Sequence, residues 1–98
     1  MTYVVCATWT AKEGEAAAVE AAIRELATIS RRDEPGLLFY QPHRDPENPN
    51  VFFFYEQYKD EDAYKAHVES EHFKRLGFGD AIPRLESRER AFYVTWDL

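Results

Sequence analysis

The order of patterns along these 98 residues predicts an α+β fold, a ferredoxin-like βαββαβ arrangement of one sheet and two helical segments. Two observations carry it. Four runs rich in β-branched and aromatic residues are separated by two stretches of helical period. The second and third runs are joined by nothing more than a polar turn. The length allows one core, so residues 1–98 form a single domain.

Residues 3–9 (YVVCATW) read as the first strand. From Glu13 the period changes, and Val19, Ala22, Ile23, Leu26, Ala27 and Ser30 recur at three- and four-residue steps along one helical stripe. Glu13 and Glu15 near its start and Arg31 and Arg32 near its end suit the helix macrodipole. Pro35-Gly36 stops it. Residues 37–43 (LLFYQPH) read as a second strand, and Pro42 points to an edge or a bulge. The turn RDPENPN leads to a third strand at 51–58 (VFFFYEQY). Asp60 is placed to cap a helix carrying Tyr64, His67 and Val68 on one face, and Ser70 to cap a short segment with Phe73 and Leu76. Gly77 and Gly79 are expected to loosen the chain before a last strand at 88–96.

Charge excludes some partners. Eighteen acids against 12 bases give a net charge of −6, and the bases are scattered, so neither nucleic acid nor a membrane surface is an expected partner. The single cysteine, Cys6, precludes an internal disulfide and lies in an apolar strand where a buried, inert thiol is expected. The N-terminus has no basic segment, and its apolar run is too short for a signal peptide or a membrane span, so the expected location is cytoplasmic.

A sheet covered by helices on one side should alternate apolar and polar residues. The third strand does not: Val51, Phe53 and Tyr55 share one parity, Phe52 and Phe54 the other. In the last strand, Phe92, Val94 and Trp96 oppose Ala91 and Tyr93. Two helices cover one face only, and an open aromatic face of this extent exceeds what monomers usually leave in water. At roughly 25 cal/mol per Å² its burial outweighs the cost of association, so a homodimer joined sheet to sheet is expected.

The helix after the third strand holds two histidines. His67 borders the stripe that faces the sheet, and Glu56, Tyr58, Tyr64 and His72 are close in sequence, all able to share protons. The plain alternative is a packed imidazole bonded to a carbonyl or a tyrosine hydroxyl. His72 follows His67 by five residues, not the three or four a chelating pair prefers, and His43 beside a turn has no geometric support, so no metal site is expected. There is no Gly-rich phosphate loop and no nucleophile elbow around Ser30, Ser70 or Ser87. Glu56 stands in an aromatic strand, where it reaches water, pairs with Arg88 or Arg90, or orients His67.

The run Glu56-Gln57-Tyr58, then Tyr64, Ala66-His67 and His72-Phe73, resembles the signature of the antibiotic biosynthesis monooxygenase family, most closely its quinol monooxygenase branch. The resemblance implies a dimeric α/β barrel and a pocket between helices and sheet. There a phenolic substrate reacts with molecular oxygen, without flavin or metal and hence with no cofactor. It implies His67 as the proton acceptor, with Tyr58 and His72 in catalytic support. Tyr64, Phe73, Phe53, Phe54 and Glu56 would hold or enclose a quinol or polycyclic phenol. The haem-degrading branch instead uses an asparagine, a tryptophan and a histidine where this chain has Ala7, His67 and Gly77, which argues against haem degradation. The usual tryptophan of the third-strand motif is Tyr58 here. The same cavity also suits a non-enzymatic module that binds an aromatic metabolite, or an isomerase or tautomerase that shuttles a proton through His67.

Overall fold

The computed structural model describes residues 1–98. Four strands, β1 (Tyr3–Ala11), β2 (Leu37–Arg44), β3 (Val51–Tyr58) and β4 (Leu85–Val94), form one antiparallel sheet in the order β2-β3-β1-β4. Helix α1 (Ala16–Asp33) links β1 to β2. The second connection holds α2 (Glu61–Glu69), the single turn α3 (Glu71–Phe73), a π-helical segment (Lys74–Ala81) and a 3₁₀ turn (Ile82–Arg84). The βαββαβ order is thus the ferredoxin-like α+β fold read from the sequence. No helix is long and apolar enough to cross a membrane.

The stripe of α1 packs as its period requires: Val19, Ala22, Ile23, Leu26, Ala27 and Ser30 are its buried residues. They meet Ala7 and Trp9 of β1, Tyr40 of β2, Phe52 and Phe54 of β3, and Phe73, Leu76 and Ala81 beyond α2. Asp60 caps α2 as expected, its carboxylate accepting from Ala63 N at 2.8 Å. Gly36 sits where its missing Cβ matters. A methyl there would come within 2.6 Å of Ala63 Cβ, so the α1–β2 connection and α2 approach only because position 36 has no side chain.

Boundaries differ from the sequence reading: β1 runs on to Ala11, and the second half of the chain departs further. The chain does not loosen at Gly77 and Gly79. It stays helical with widened turns through Ala81, because Phe73, Leu76 and Ala81 are buried in the core and hold it there. The last strand therefore begins at Leu85, and it ends at Val94 rather than 96, leaving Trp96 beyond the ladder and 84% exposed.

Register decides which face each side chain joins. Val5, Ala7 and Trp9 pair with Glu56, Phe54 and Phe52, and all six lie buried under the helices. The alternate residues face the other way. There Phe39 meets Tyr55 edge to face with ring centres 5.9 Å apart, and His43 lies 5.6 Å from Phe53. Phe39 and Phe53 are substantially exposed, as is Tyr93 of β4. Cys6 belongs to this open face and is half-exposed rather than buried, because no helix covers it.

Candidate functional site

The site is built where α1 ends. Pro35 and Gly36 prevent another helical turn, and Glu34 takes an extended conformation while its N–H still donates to Ser30 O at 3.1 Å. This lifts the Glu34 carboxylate off the helix and towards α2. Arg31, one turn earlier, donates through Nε to the Tyr40 carbonyl at 2.9 Å and ties the helix end to β2.

His67 is the buried residue of α2, 2% exposed. Its Nδ1 donates to both oxygens of Glu34, at 3.0 and 2.8 Å. His72 reaches the same carboxylate: its Nε2 donates to Oε2 at 2.5 Å. On an unbroken helix a five-residue step would turn the two rings about 140° apart. The break at Ser70 removes that obstacle. Ser70 is extended (φ −67°, ψ 154°), its hydroxyl donates to His67 O at 2.6 Å and accepts from Phe73 N at 3.2 Å, and α3 starts in a new direction. The spacing that argued against a pair of neighbouring histidines is thereby overcome.

Burial by itself would raise the Glu34 carboxyl, but hydrogen bonds from His67 and His72 outweigh it and hold the group below its ordinary value. An ionised carboxylate only accepts. His67 therefore carries its proton on Nδ1, and Nε2, on the ring edge away from Glu34, holds the lone pair in the neutral ring.

A second carboxyl lies close by in the opposite state. Glu56 is 5% exposed, and burial, the dominant influence, pushes it above its ordinary value despite the Tyr58 hydroxyl that donates to it at 2.6 Å. It neither reaches water nor pairs with Arg88 or Arg90. Arg90 instead donates to the Tyr64 hydroxyl at 2.9 Å. Burial and the neighbouring Glu56 carboxylate also push Tyr58 far up, so it stays protonated and acts as a donor.

Rings enclose His67. Phe73 meets it edge-on at 5.0 Å between centres, Tyr40 and Tyr58 lie at 5.5 and 5.6 Å, and Tyr64 stacks at 6.4 Å. Beside the imidazole is a hollow walled by Trp9, Tyr40, Phe54, Glu56 and Tyr64, with Arg88 and Arg90 on its outer side. Its free volume is only about 20 Å³, room for about one water. A much larger depression, about 490 Å³, runs between α1 and β2, but there Glu20 is already engaged by Arg24 and Arg44. That groove is open, its one carboxylate is taken by two arginines, and Arg31 is held by the Tyr40 carbonyl. Size alone does not make it the site.

Of the residues singled out from the sequence, His67, His72, Tyr58, Tyr64, Phe73, Phe54 and Glu56 come together. Phe53 does not. Its neighbour Phe54 is buried beside the hollow, so strand alternation puts Phe53 on the open face of the sheet. Besides Trp9 and Tyr40 in the wall of the hollow, the sequence reading missed Glu34. It closes the charged run Arg31-Arg32-Asp33-Glu34 before a helix stop, where a solvated end is the usual occupant. No local signal marked it.

The sequence pattern of the antibiotic biosynthesis monooxygenase family matches residues 2–76, and the chain belongs to that family. Solved structures with the same fold include one from Caulobacter crescentus CB15 named as a "putative antibiotic biosynthesis monooxygenase". It is 27% identical with a TM-score of 0.89, over 98% of this chain and 91% of that one. A Pseudomonas aeruginosa protein is 31% identical with a TM-score of 0.88, over 98% and 95%. One from Bacteroides thetaiotaomicron, also named as a "putative antibiotic biosynthesis monooxygenase", is 26% identical with a TM-score of 0.89, over 96% and 89%. No curated protein matches.

Proposed function

We propose that the protein oxidises a quinol or polycyclic phenol with molecular oxygen, using His67 as the proton acceptor and no cofactor. The observation that carries this reading is the Glu34–His67 pair. A carboxylate at 2.8 Å holds the proton on Nδ1 and leaves Nε2 as the basic atom of a ring that lines an aromatic hollow. Family membership supports the oxygen chemistry at the level of class.

Deprotonation leaves a phenolate electron-rich enough to pass an electron to oxygen, and a dry cavity keeps the two radicals together until they combine. For hydroquinone the atoms balance when one hydroquinone and one dioxygen give one hydroxybenzoquinone and one water. One oxygen atom enters the ring and the other leaves as water, carrying the two hydrogens that the ring system loses. In this reading Glu34 is a positioning residue, since it acts through His67, and the protonated Tyr58 holds Glu56 in place beside the substrate. Admission of a ring demands more space than the hollow offers. Arg88, Arg90 and Tyr64 on its outer side, long or only half-buried, are the side chains that would swing away, with Arg90 giving up its hydrogen bond to Tyr64.

Oxygen uptake with a panel of hydroquinones, measured above the rate without protein, tests the proposal. The expected outcome is turnover that falls about 10²–10⁴-fold in His67→Ala and His67→Gln, with circular dichroism unchanged. Binding of the same compounds without oxygen uptake would leave a binding module instead, and turnover under anaerobic conditions an isomerase.

The homodimer belongs to the same proposal. Phe39, Phe53, Tyr55 and Tyr93 form the surface that would be covered by a second copy, and sheet-to-sheet association would complete a dimeric α/β barrel.

A further inference from the structure

Glu34, His67 and His72 each offer one donor atom, and the three atoms all lie within 4.8 Å of one another. Two imidazole nitrogens and one carboxylate make the donor set that borderline divalent cations take, either as zinc with an open fourth position or as a facial triad. We infer that this cluster is a binding site for a divalent transition-metal ion of the zinc type, held by His67 Nδ1, His72 Nε2 and Glu34. The inference stands apart from the oxygenase reading, since it needs these three donors and no substrate.

Three features favour a cation over a purely structural set of hydrogen bonds. The ligands come from separate elements, the end of α1, α2 and α3, that only the tertiary structure brings together. His67 is locked by the surrounding rings, which prepares one ligand. His72 and Glu34 are partly exposed, with side chains 14% and 12% accessible, so an ion has a path from solvent. Metal–ligand bonds of about 2.0–2.2 Å put tetrahedral donors about 3.4 Å apart, so closing the set takes small rotations of the two less buried side chains.

Occupation would carry a consequence for the neighbouring chemistry. A metal on Nδ1 forces the imidazole proton onto Nε2, which turns the acceptor beside the hollow into a donor. A bound ion would therefore suppress any base chemistry by His67 rather than assist it.

Calorimetric titration of the whole protein with zinc chloride, alongside thermal melts, tests the inference without reference to turnover. The expected result is one ion per chain and a melting midpoint that rises with zinc. Affinity should fall about 100-fold in Glu34→Gln and in His72→Ala, and be kept in His43→Ala, which alters the histidine on the opposite face. Melts without zinc establish that each variant folds. Cobalt in place of zinc should give the intense visible bands of a four-coordinate site, absent in Glu34→Gln. No binding by the folded wild type would overturn the inference. So would binding that survives Glu34→Gln and His72→Ala, or that is lost in His43→Ala.

Discussion

The two faces of this sheet carry similar apolar residues to different ends. On the covered face Phe52 and Phe54 pack with Trp9 and Tyr40 beneath α1, and the same layer encloses His67 and Glu56. On the open face Phe39, Phe53 and Tyr93 offer area and little else. The comparison teaches that an aromatic side chain gains meaning from its neighbours. Where helices cover it, it excludes water from titratable groups. Where none do, it stays partly in contact with water.

Paired substitutions at adjacent positions sharpen that contrast most. Phe54→Ala should lower unfolding free energy by about 3–5 kcal/mol, since it empties a packed core site. Phe53→Ala should cost less than about 1 kcal/mol when measured on isolated chains at high dilution. If the open face is an interface, wild-type melting midpoints rise with protein concentration, and Phe53→Glu abolishes that rise while keeping the fold. Sedimentation would then show the mass halved. A concentration-independent midpoint with monomeric mass in the wild type would break the comparison.

Gly36→Ala is next in size. The new methyl meets Ala63 Cβ rather than the end of a flexible side chain, so α2 must shift, and a loss of about 1–3 kcal/mol in urea unfolding is expected. Because α2 carries His67, its pairing with Glu34 should loosen too.

The smallest effects distinguish the two carboxyls of the covered face. Glu34 is held below its ordinary value, so its contribution to stability is present above about pH 4.3 and is lost as pH falls through the lowered value. Glu56 is held above its ordinary value, so stability is lost as pH rises from about 4.3 through the raised value. Glu34→Gln should therefore be less stable than wild type at pH 7, with the gap closing in acid. Glu56→Gln should gain on the wild type as pH rises. Urea unfolding from about pH 2 to about pH 8 reads both, and the same sign for the two variants would contradict the assignment.

Much of the fold was legible because local rules set it. Apolar residues at three- and four-residue steps could only make α1, Pro35-Gly36 could only end it, and Asp60 and Ser70 had the side chains that caps require. The histidine side of the site was legible too, since His67 shares a helical face with Tyr64 and Val68. The segment after Phe73 was misread because two glycines suggest freedom, whereas burial of Leu76 and Ala81 keeps the chain wound.

By itself the sequence determined the order of elements, the covered stripe of α1 and the excess of rings on both sides of the sheet, because periodicity and capping act between residues close along the chain. Only the tertiary structure decided that Glu34 meets two imidazoles, that Phe54 and not Phe53 borders the hollow, and that Glu56 is shut away with Tyr58. Those outcomes depend on strand register and on a contact spanning 33 residues from Glu34 to His67. The physical reason is that one carboxylate at a helix end has no preferred partner until packing removes water from around it and leaves the imidazoles as the donors within reach.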